Sequence, residues 1–372
     1  MHNIDRRRAL LVAVLQYPGD DAREESEELT ELAAAAGYFG IAVHVVRLRQ
    51  VRAATLLGEG AIKHCLQLAE KFTAELIIVG AELSSMQARN LKIKWERSVI
   101  DRSDLILNIF GDRAQTHNSK LQVELARCRR DMSRLAGRWT HLERQRGGIG
   151  LRGGPGEKQI EIDRRLLAHK AKRIERQIKK MSASNSLART RRERFGVPTA
   201  ALVGYTNVGK STLFNLLTSA NAPTNNRLFD TLESTARRLY VDGEQLVVTD
   251  TVGFIRRLPH ELLTGFHATL QEAATSNVII IVADAAHSDC EAQLAVVRNT
   301  LDSIGAPHDN RLTVMNKIDK AELQSRTERA PCGKIEKVWL SSHLGTGVSA
   351  LREALGQASK YCRAERQSSS QH

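Results

Sequence analysis

Aromatic side chains make up only 4% of these 372 residues, and no apolar run approaches the roughly 18 residues that a membrane helix needs. The sequence therefore offers no helical membrane span. Its five cysteines, Cys65, Cys128, Cys290, Cys332 and Cys362, are scattered and form no C-x-x-C pair. That spacing excludes a zinc ribbon and a disulfide frame, and it fits reduced thiols in the cytoplasm. No cleavable leader is expected either. Arg6-Arg7-Arg8 precedes apolar Ala9–Leu15, but Tyr17-Pro18-Gly19-Asp20-Asp21 follows where small residues would mark cleavage. The run Ala9–Leu15 reads instead as a first β-strand.

The apolar share of 42% and the charged share of 26% are those of an ordinary globular protein. A chain this long divides into two or three domains. The net charge of +13 is concentrated: residues 101–195 carry 24 basic and 11 acidic side chains, while the stretches on either side balance to zero. Such a block is the footprint of a polyanion partner, most often nucleic acid; a solvated basic helix face is the plainer reading. Between 111 and 195 the only aromatics are Trp139 and Phe195. Phosphate contacts and shape recognition, as on folded RNA, suit that composition better than base stacking.

Within this block, Leu121, Leu125, Cys128, Met132, Leu135, Trp139 and Leu142 form a heptad seam, and Ile160, Leu167, Ala171, Ile174, Ile178 and Met181 form a second. Glycine-rich Gly147–Gly156 lies between them. The pattern predicts an antiparallel helical hairpin over 113–195, its tip carrying Arg152; ordinary helix packing is the alternative. Arg127, Arg129, Arg130, Arg134 and Arg138 on one arm, with Arg164, Arg165, Arg173 and Arg176 on the other, are expected on the outer faces. Residues 1–112 alternate strand-like and helix-like runs, predicting a small α/β domain with a mainly parallel sheet. Its strands are Ala9–Leu15, Ile41–Val46, Ala74–Val79 and Leu105–Ile109; its helices are Ser26–Ala36, Gly60–Leu68 and Ser84–Trp95. Gly58-Glu59-Gly60 is no phosphate fingerprint and reads as a helix-start turn.

The strongest signal is Gly204-Tyr205-Thr206-Asn207-Val208-Gly209-Lys210-Ser211, a G-x-x-x-x-G-K-[ST] loop between the apolar run Thr199–Val203 and helical Thr212–Leu217. Such a loop turns backbone N–H groups onto a polyphosphate at a helix N-terminus. Lys210 is expected on the β- and γ-phosphates, and Ser211 on Mg²⁺. Two strands around Asp242-Gly243 lead to Asp250-Thr251-Val252-Gly253, a D-x-x-G at a strand end. Asp250 would hold Mg²⁺ through water, and the Gly253 N–H would sense the γ-phosphate. Apolar Arg311–Met315 ends in Asn316-Lys317-Ile318-Asp319, an N-K-x-D. A carboxylate there accepts from guanine N1–H and the exocyclic amine, which selects GTP over ATP. Ser341-Ser342-His343 would supply the last loop against the base. The expected fold is thus an N-terminal α/β domain, a helical hairpin and a P-loop G domain (196–362) with a mainly parallel sheet and flanking helices. The tail 363–372 reads as disordered.

Over about residues 20–360 the sequence resembles the HflX family. The resemblance rests on Asp101–Phe110, Lys120–Leu125, the Gly147–Arg152 tip, Glu157–Arg165 and Asp250–Ile255, besides the motifs above. It implies a cytoplasmic, monomeric GTPase, partly on ribosomes or membrane surfaces, that binds the large ribosomal subunit, splits stalled ribosomes and hydrolyses GTP to release. The family's first switch corresponds to Phe229-Asp230-Thr231-Leu232-Glu233, with Thr231 for Mg²⁺ and the γ-phosphate, and Thr235 and Thr224 as alternatives. Phe254 stands where Ras-like enzymes orient water with glutamine, which implies slow intrinsic hydrolysis that the ribosome accelerates. Asn207 stands where related GTPases hold a monovalent cation, so K⁺ joins Mg²⁺ as a candidate cofactor. The sequence departs from the family at Asn118-Ser119, Gly153-Gly154 and Ser342. A ribosome-assembly factor with a G-domain switch, or an added ATP-linked activity in the N-terminal domain, remain alternatives.

Overall fold

The computed structural model describes residues 7–144, 155–194, 196–219, 228–229, 235–257, 273–308 and 310–369, and in helices leaves undescribed the side chains of 136–144, 155–160, 182–194 and 362–369. The chain forms two compact units that part between Ile178 and Lys179.

The first unit opens with β1 (Arg8–Leu15), α1 (Ala22–Ala35), β2 (Phe39–Arg47), α2 (Glu59–Lys71), β3 (Leu76–Val79), α3 (Ser85–Trp95) and β4 (Ser98–Asp101). The four strands pair in parallel, in the order β2-β1-β3-β4. Helix starts follow local capping: the Asp21 carboxylate accepts from Arg23 N and Glu24 N, and Ser84 with Gln87 closes a capping box. Gly58 is simply the N-cap of α2. One sheet face buries Leu10, Val12, Ile77 and Val79 against Ile62 and Cys65 of α2 and Leu91 and Trp95 of α3.

One expected strand is wrong. Leu105–Ile109 lies inside α4 (Arg102–Arg113), and the strand is the preceding Ser98–Asp101. A short run buried on nearly every side reads alike as strand or helix. The cap decides here, since the Asp101 carboxylate accepts from Asp104 N at 2.8 Å and starts a helical turn.

Helices α5 (His117–Arg144) and α6 (Pro155–Arg194) follow. At about 1.5 Å per residue they are on the order of 40 and 60 Å long. Leu121, Leu125 and Cys128 pack on Ala171 and Ile174, with Met132, Leu167 and Ile178 beside them, so the two seams meet over these residues, whereas Met181 at the end of the second is exposed. The tip residues Gly147–Gly154 and the side chains of Arg138, Trp139, Leu142 and Ile160 lie outside the described residues.

Arg127 is exposed on α5 as expected, but Arg129, Arg130 and Arg134 do not form the expected outer face. Arg130 is buried and pairs with Asp101, Glu82 and Asp104; Arg134 pairs with Asp104 and Asp101; Arg129 donates to Glu175. Buried cations need such partners. These side chains fasten α5 to the N-terminal sheet and to α6. On α6, in contrast, Arg164, Arg165, Lys172, Arg173, Arg176, Lys179 and Lys180 are exposed.

The second unit contains β5 (Thr199–Gly204), α7 (Lys210–Thr218), the hairpin β6 (Thr235–Val241) and β7 (Glu244–Asp250), β8 (Val278–Asp284), α8 (Cys290–Ser303), β9 (Arg311–Asn316), β10 (Thr327–Arg329), β11 (Ile335–Trp339) and α9 (Val348–Ser369). The sheet order is β10-β11-β9-β8-β5-β7-β6, with antiparallel pairs only at its two edges. Helix α9 runs on through most of the tail from Arg363 that was expected to be disordered; Ala364, Glu365, Arg366 and Gln367 are good helix formers.

Candidate nucleotide site

Strands β5, β7 and β9 are central and parallel, so their C-terminal ends deliver Gly204, Asp250 and Asn316 to one edge of the sheet. The loop between β5 and α7 then folds over that edge. Gly209 has φ +92°, and a Cβ there would lie 2.5 Å from Asn316 Nδ2. Only glycine lets the phosphate loop turn this tightly against the N-K-x-D segment.

Lys210 is buried, and its Nζ donates to Gly204 O at 3.1 Å and Tyr205 O at 2.7 Å. Burial lowers its pKa to about 8, against the opposing pull of Asp250. Ser211 Oγ donates to Asp250 Oδ2 at 2.7 Å, bringing a hydroxyl and a carboxylate together at the start of α7. Gly253 closes the site from the far side, where an added Cβ would meet Lys210 Nζ at 3.0 Å and Thr206 Cγ2 at 2.9 Å. Two backbone bonds hold this segment to the phosphate loop, Phe254 N to Gly204 O at 2.9 Å and Thr206 N to Phe254 O at 2.8 Å. The Tyr205 hydroxyl accepts from Arg256 N at 3.0 Å. Phe254 itself is buried in the core with Ala201, Val203, Ile279 and Ile281. Its side chain presents no polar group to the site.

At the base end, Asn316 Nδ2 donates to Val208 O at 2.8 Å and to Ser342 Oγ at 3.0 Å, and Asn316 Oδ1 accepts from Ser342 N at 2.9 Å. Lys317 Nζ donates to Asn207 O and to Asp284 Oδ2, both at 2.7 Å. Ser341 Oγ donates to Asp319 Oδ1 and accepts from Leu344 N at 3.1 Å. Thus Asn316 and Lys317 tie the loop after β5 to the end of β9, while Ser341 holds the Asp319 carboxylate.

Of the residues singled out in the sequence, the phosphate loop through Thr212, Asp250–Gly253, Asn316–Asp319 and Ser341–His343 fall in this one unit. The Thr251 hydroxyl donates to Leu202 O at 2.6 Å. His343 is exposed. Phe229 is buried, whereas Thr224, Asp230, Thr231, Leu232 and Glu233 lie outside the described residues; Thr235 begins β6. Asp284 escaped the sequence reading. Its signal was a lone acid ending an otherwise apolar strand, and nothing local tied it to Lys317.

Three family descriptions match consecutive stretches of the chain: GTP-binding GTPase N-terminal at 23–111, GTP-binding GTPase Middle Region at 113–192, and 50S ribosome-binding GTPase at 199–317. Among similar proteins, GTPase HflX of Magnetococcus marinus is 39% identical over 358 residues, covering 94% of this chain and 83% of that protein. GTPase HflX of Escherichia coli K12 is 41% identical over 350 residues, covering 94% and 82%. The solved complex of SsGBP with GDP is similar in fold, with a TM-score of 0.50 at 20% identity and coverage of 96% of this chain and 99% of that one.

Proposed function

Because this chain belongs to the HflX family of GTPases, we propose that it binds the large ribosomal subunit and uses the GTP cycle to split or rescue stalled ribosomes. The observation that carries the nucleotide part is the convergence of Lys210, Ser211 and Asp250 with Asn316, Asp319 and Ser341 at one sheet edge. Lys210 exchanges the carbonyls of Gly204 and Tyr205 for phosphate oxygens, which are stronger acceptors for an ammonium. The Gly253 N–H reports the γ-phosphate, and Asp319 reads the guanine. Ser211 and Asp250, two hard oxygen donors already 2.7 Å apart, fit Mg²⁺, with Thr231 as the third residue. Bound there, the ion would offset phosphate charge. With Phe254 in the core, no side chain at that position orients water. Intrinsic hydrolysis is accordingly slow, and the ribosome supplies the missing polar group. A turnover rate indifferent to added ribosomes would argue against that step.

Potassium beside Asn207 belongs to the same proposal; equal rates in sodium and potassium buffers would remove it. The exposed basic face of α6 supports contact with ribosomal RNA, a surface that a factor acting on immature subunits would share. Sucrose-gradient sedimentation separates the two. Intact ribosomes are mixed with the protein and GTP, a non-hydrolysable analogue, GDP or no nucleotide. Separation into subunits with either triphosphate, but not with GDP, supports splitting and assigns hydrolysis to release. Binding without separation favours the assembly role. ATP hydrolysis persisting without the G domain would revive an activity in the N-terminal unit.

A further inference from the structure

The G-x-x-x-x-G-K-[ST] pattern leaves the residue after its first glycine open. Here that residue is Tyr205, which is buried and holds two neighbours at once. Its carbonyl accepts from Lys210 Nζ at 2.7 Å, and its phenolic oxygen accepts from Arg256 N at 3.0 Å. The second bond crosses to the segment that follows Asp250-Thr251-Val252-Gly253. Two further bonds join that segment to the phosphate loop at Phe254, but they use backbone groups and would form with any residue. Of the three, only the hydroxyl bond requires a tyrosine at 205. Gly253 lies within the stretch so held. Before it, Thr251 Oγ1 donates to Leu202 O; after it, the Arg256 guanidinium reaches Asp289 at 3.7 Å. A Cβ on Gly253 would lie 3.0 Å from Lys210 Nζ, so this backbone already borders the ammonium expected on the β- and γ-phosphates.

We propose that Tyr205 is a positioning residue for selecting the triphosphate over the diphosphate. Its hydroxyl sets the turn after Gly253 in place before nucleotide arrives, so the Gly253 N–H meets a γ-phosphate without first being ordered. The proposal rests on the guanine-nucleotide reading above. A diphosphate has no group at that point and gains nothing from the tether. Without the hydroxyl, the Arg256 N–H loses its acceptor and the turn is held less firmly. The cost of ordering it then falls on triphosphate binding alone.

The test is equilibrium titration of the full-length wild type and Tyr205→Phe with fluorescent GDP and a fluorescent non-hydrolysable GTP analogue. Tyr205→Phe keeps the buried ring and removes only the hydroxyl. It should weaken the analogue about 3- to 10-fold and GDP by less than about twofold. Hydrogen exchange over 253–256 in the nucleotide-free protein should quicken in the variant, while exchange across β5 and β8 stays as in the wild type. Both nucleotides weakened equally would mark a purely structural tyrosine and overturn the proposal. So would a ratio of the two affinities within about twofold of the wild type, a ratio shifted toward the analogue, or unchanged exchange over 253–256. A wild-type protein that binds neither guanine nucleotide overturns instead the reading on which the proposal rests.

Discussion

Replacing Arg130 by methionine should weaken the attachment of α5 to the N-terminal sheet, and it should do so in a pH-dependent way. Arg130 is buried against Asp101, whose side chain is fully enclosed, and it also reaches Glu82 and Asp104. In Arg130→Met the Asp101 carboxylate keeps only Arg134, at 3.4 Å, and the N–H groups of Leu83 and Asp104. Breaking one side of a buried ion pair costs about 3–5 kcal/mol. Burial, reinforced by Asp104, already holds the Asp101 pKa above its ordinary value, while Arg130 and Arg134 pull it down. Losing Arg130 therefore raises it further. A carboxyl whose folded pKa lies above its unfolded one favours the folded state while protonated, and that advantage is lost as pH rises through the folded value. The deficit of Arg130→Met should thus be largest near neutrality and shrink on acidification toward the raised pKa. Hydrogen exchange over β4 and α4, at two pH values, measures it locally. Adding Asp101→Asn, which keeps a capping oxygen, should recover part of the loss. Exchange unchanged to within about 0.5 kcal/mol, or a deficit that grows in acid, would refute the reasoning.

At the nucleotide site, burial holds Lys210 near a pKa of about 8. Bound phosphates should restore its charge, so affinity should be flat below that pH and then fall by up to about tenfold per unit above it. Calorimetry in two buffers of different ionisation heat should show proton uptake on binding; pH-independent affinity would contradict this. Lys210→Ala should abolish tight GTP binding and hydrolysis in a filter-binding and phosphate-release assay. Gly209→Ala combines an unfavourable φ of +92° with a Cβ 2.5 Å from Asn316 Nδ2. It should weaken GDP binding at least tenfold, roughly, while the N-terminal unit melts unchanged. On α6, the double substitution of Arg173 and Arg176 by alanine should weaken ribosome binding and lower its salt dependence by about two phosphate contacts. The corresponding change at Arg129 should instead disturb its pairing with Glu175.

The sequence by itself determined the parts whose chemistry is local. A strand, a glycine loop and a lysine at the head of a helix are contiguous, so Gly204–Ser211 declared both its shape and its ligand class. Asp250-Thr251-Val252-Gly253 and Asn316-Lys317-Ile318-Asp319 did the same, each at the end of its own strand. The heptad spacing of Leu121, Leu125 and Cys128 likewise specified a helix and the face it buries. Tertiary structure decided what depends on residues far apart in the chain. Helical periodicity put Arg130 and Arg134 off the apolar seam, but it could not say whether water or Asp101 would meet them. The apolar run Leu105–Ile109 was ambiguous until its cap and neighbours were in place. The pairing of Lys317 with Asp284, and of Asn316 with Ser342, follows from the register of β8, β9 and β11. Motifs announce themselves because the chain holds their atoms together; these contacts exist only because the sheet does.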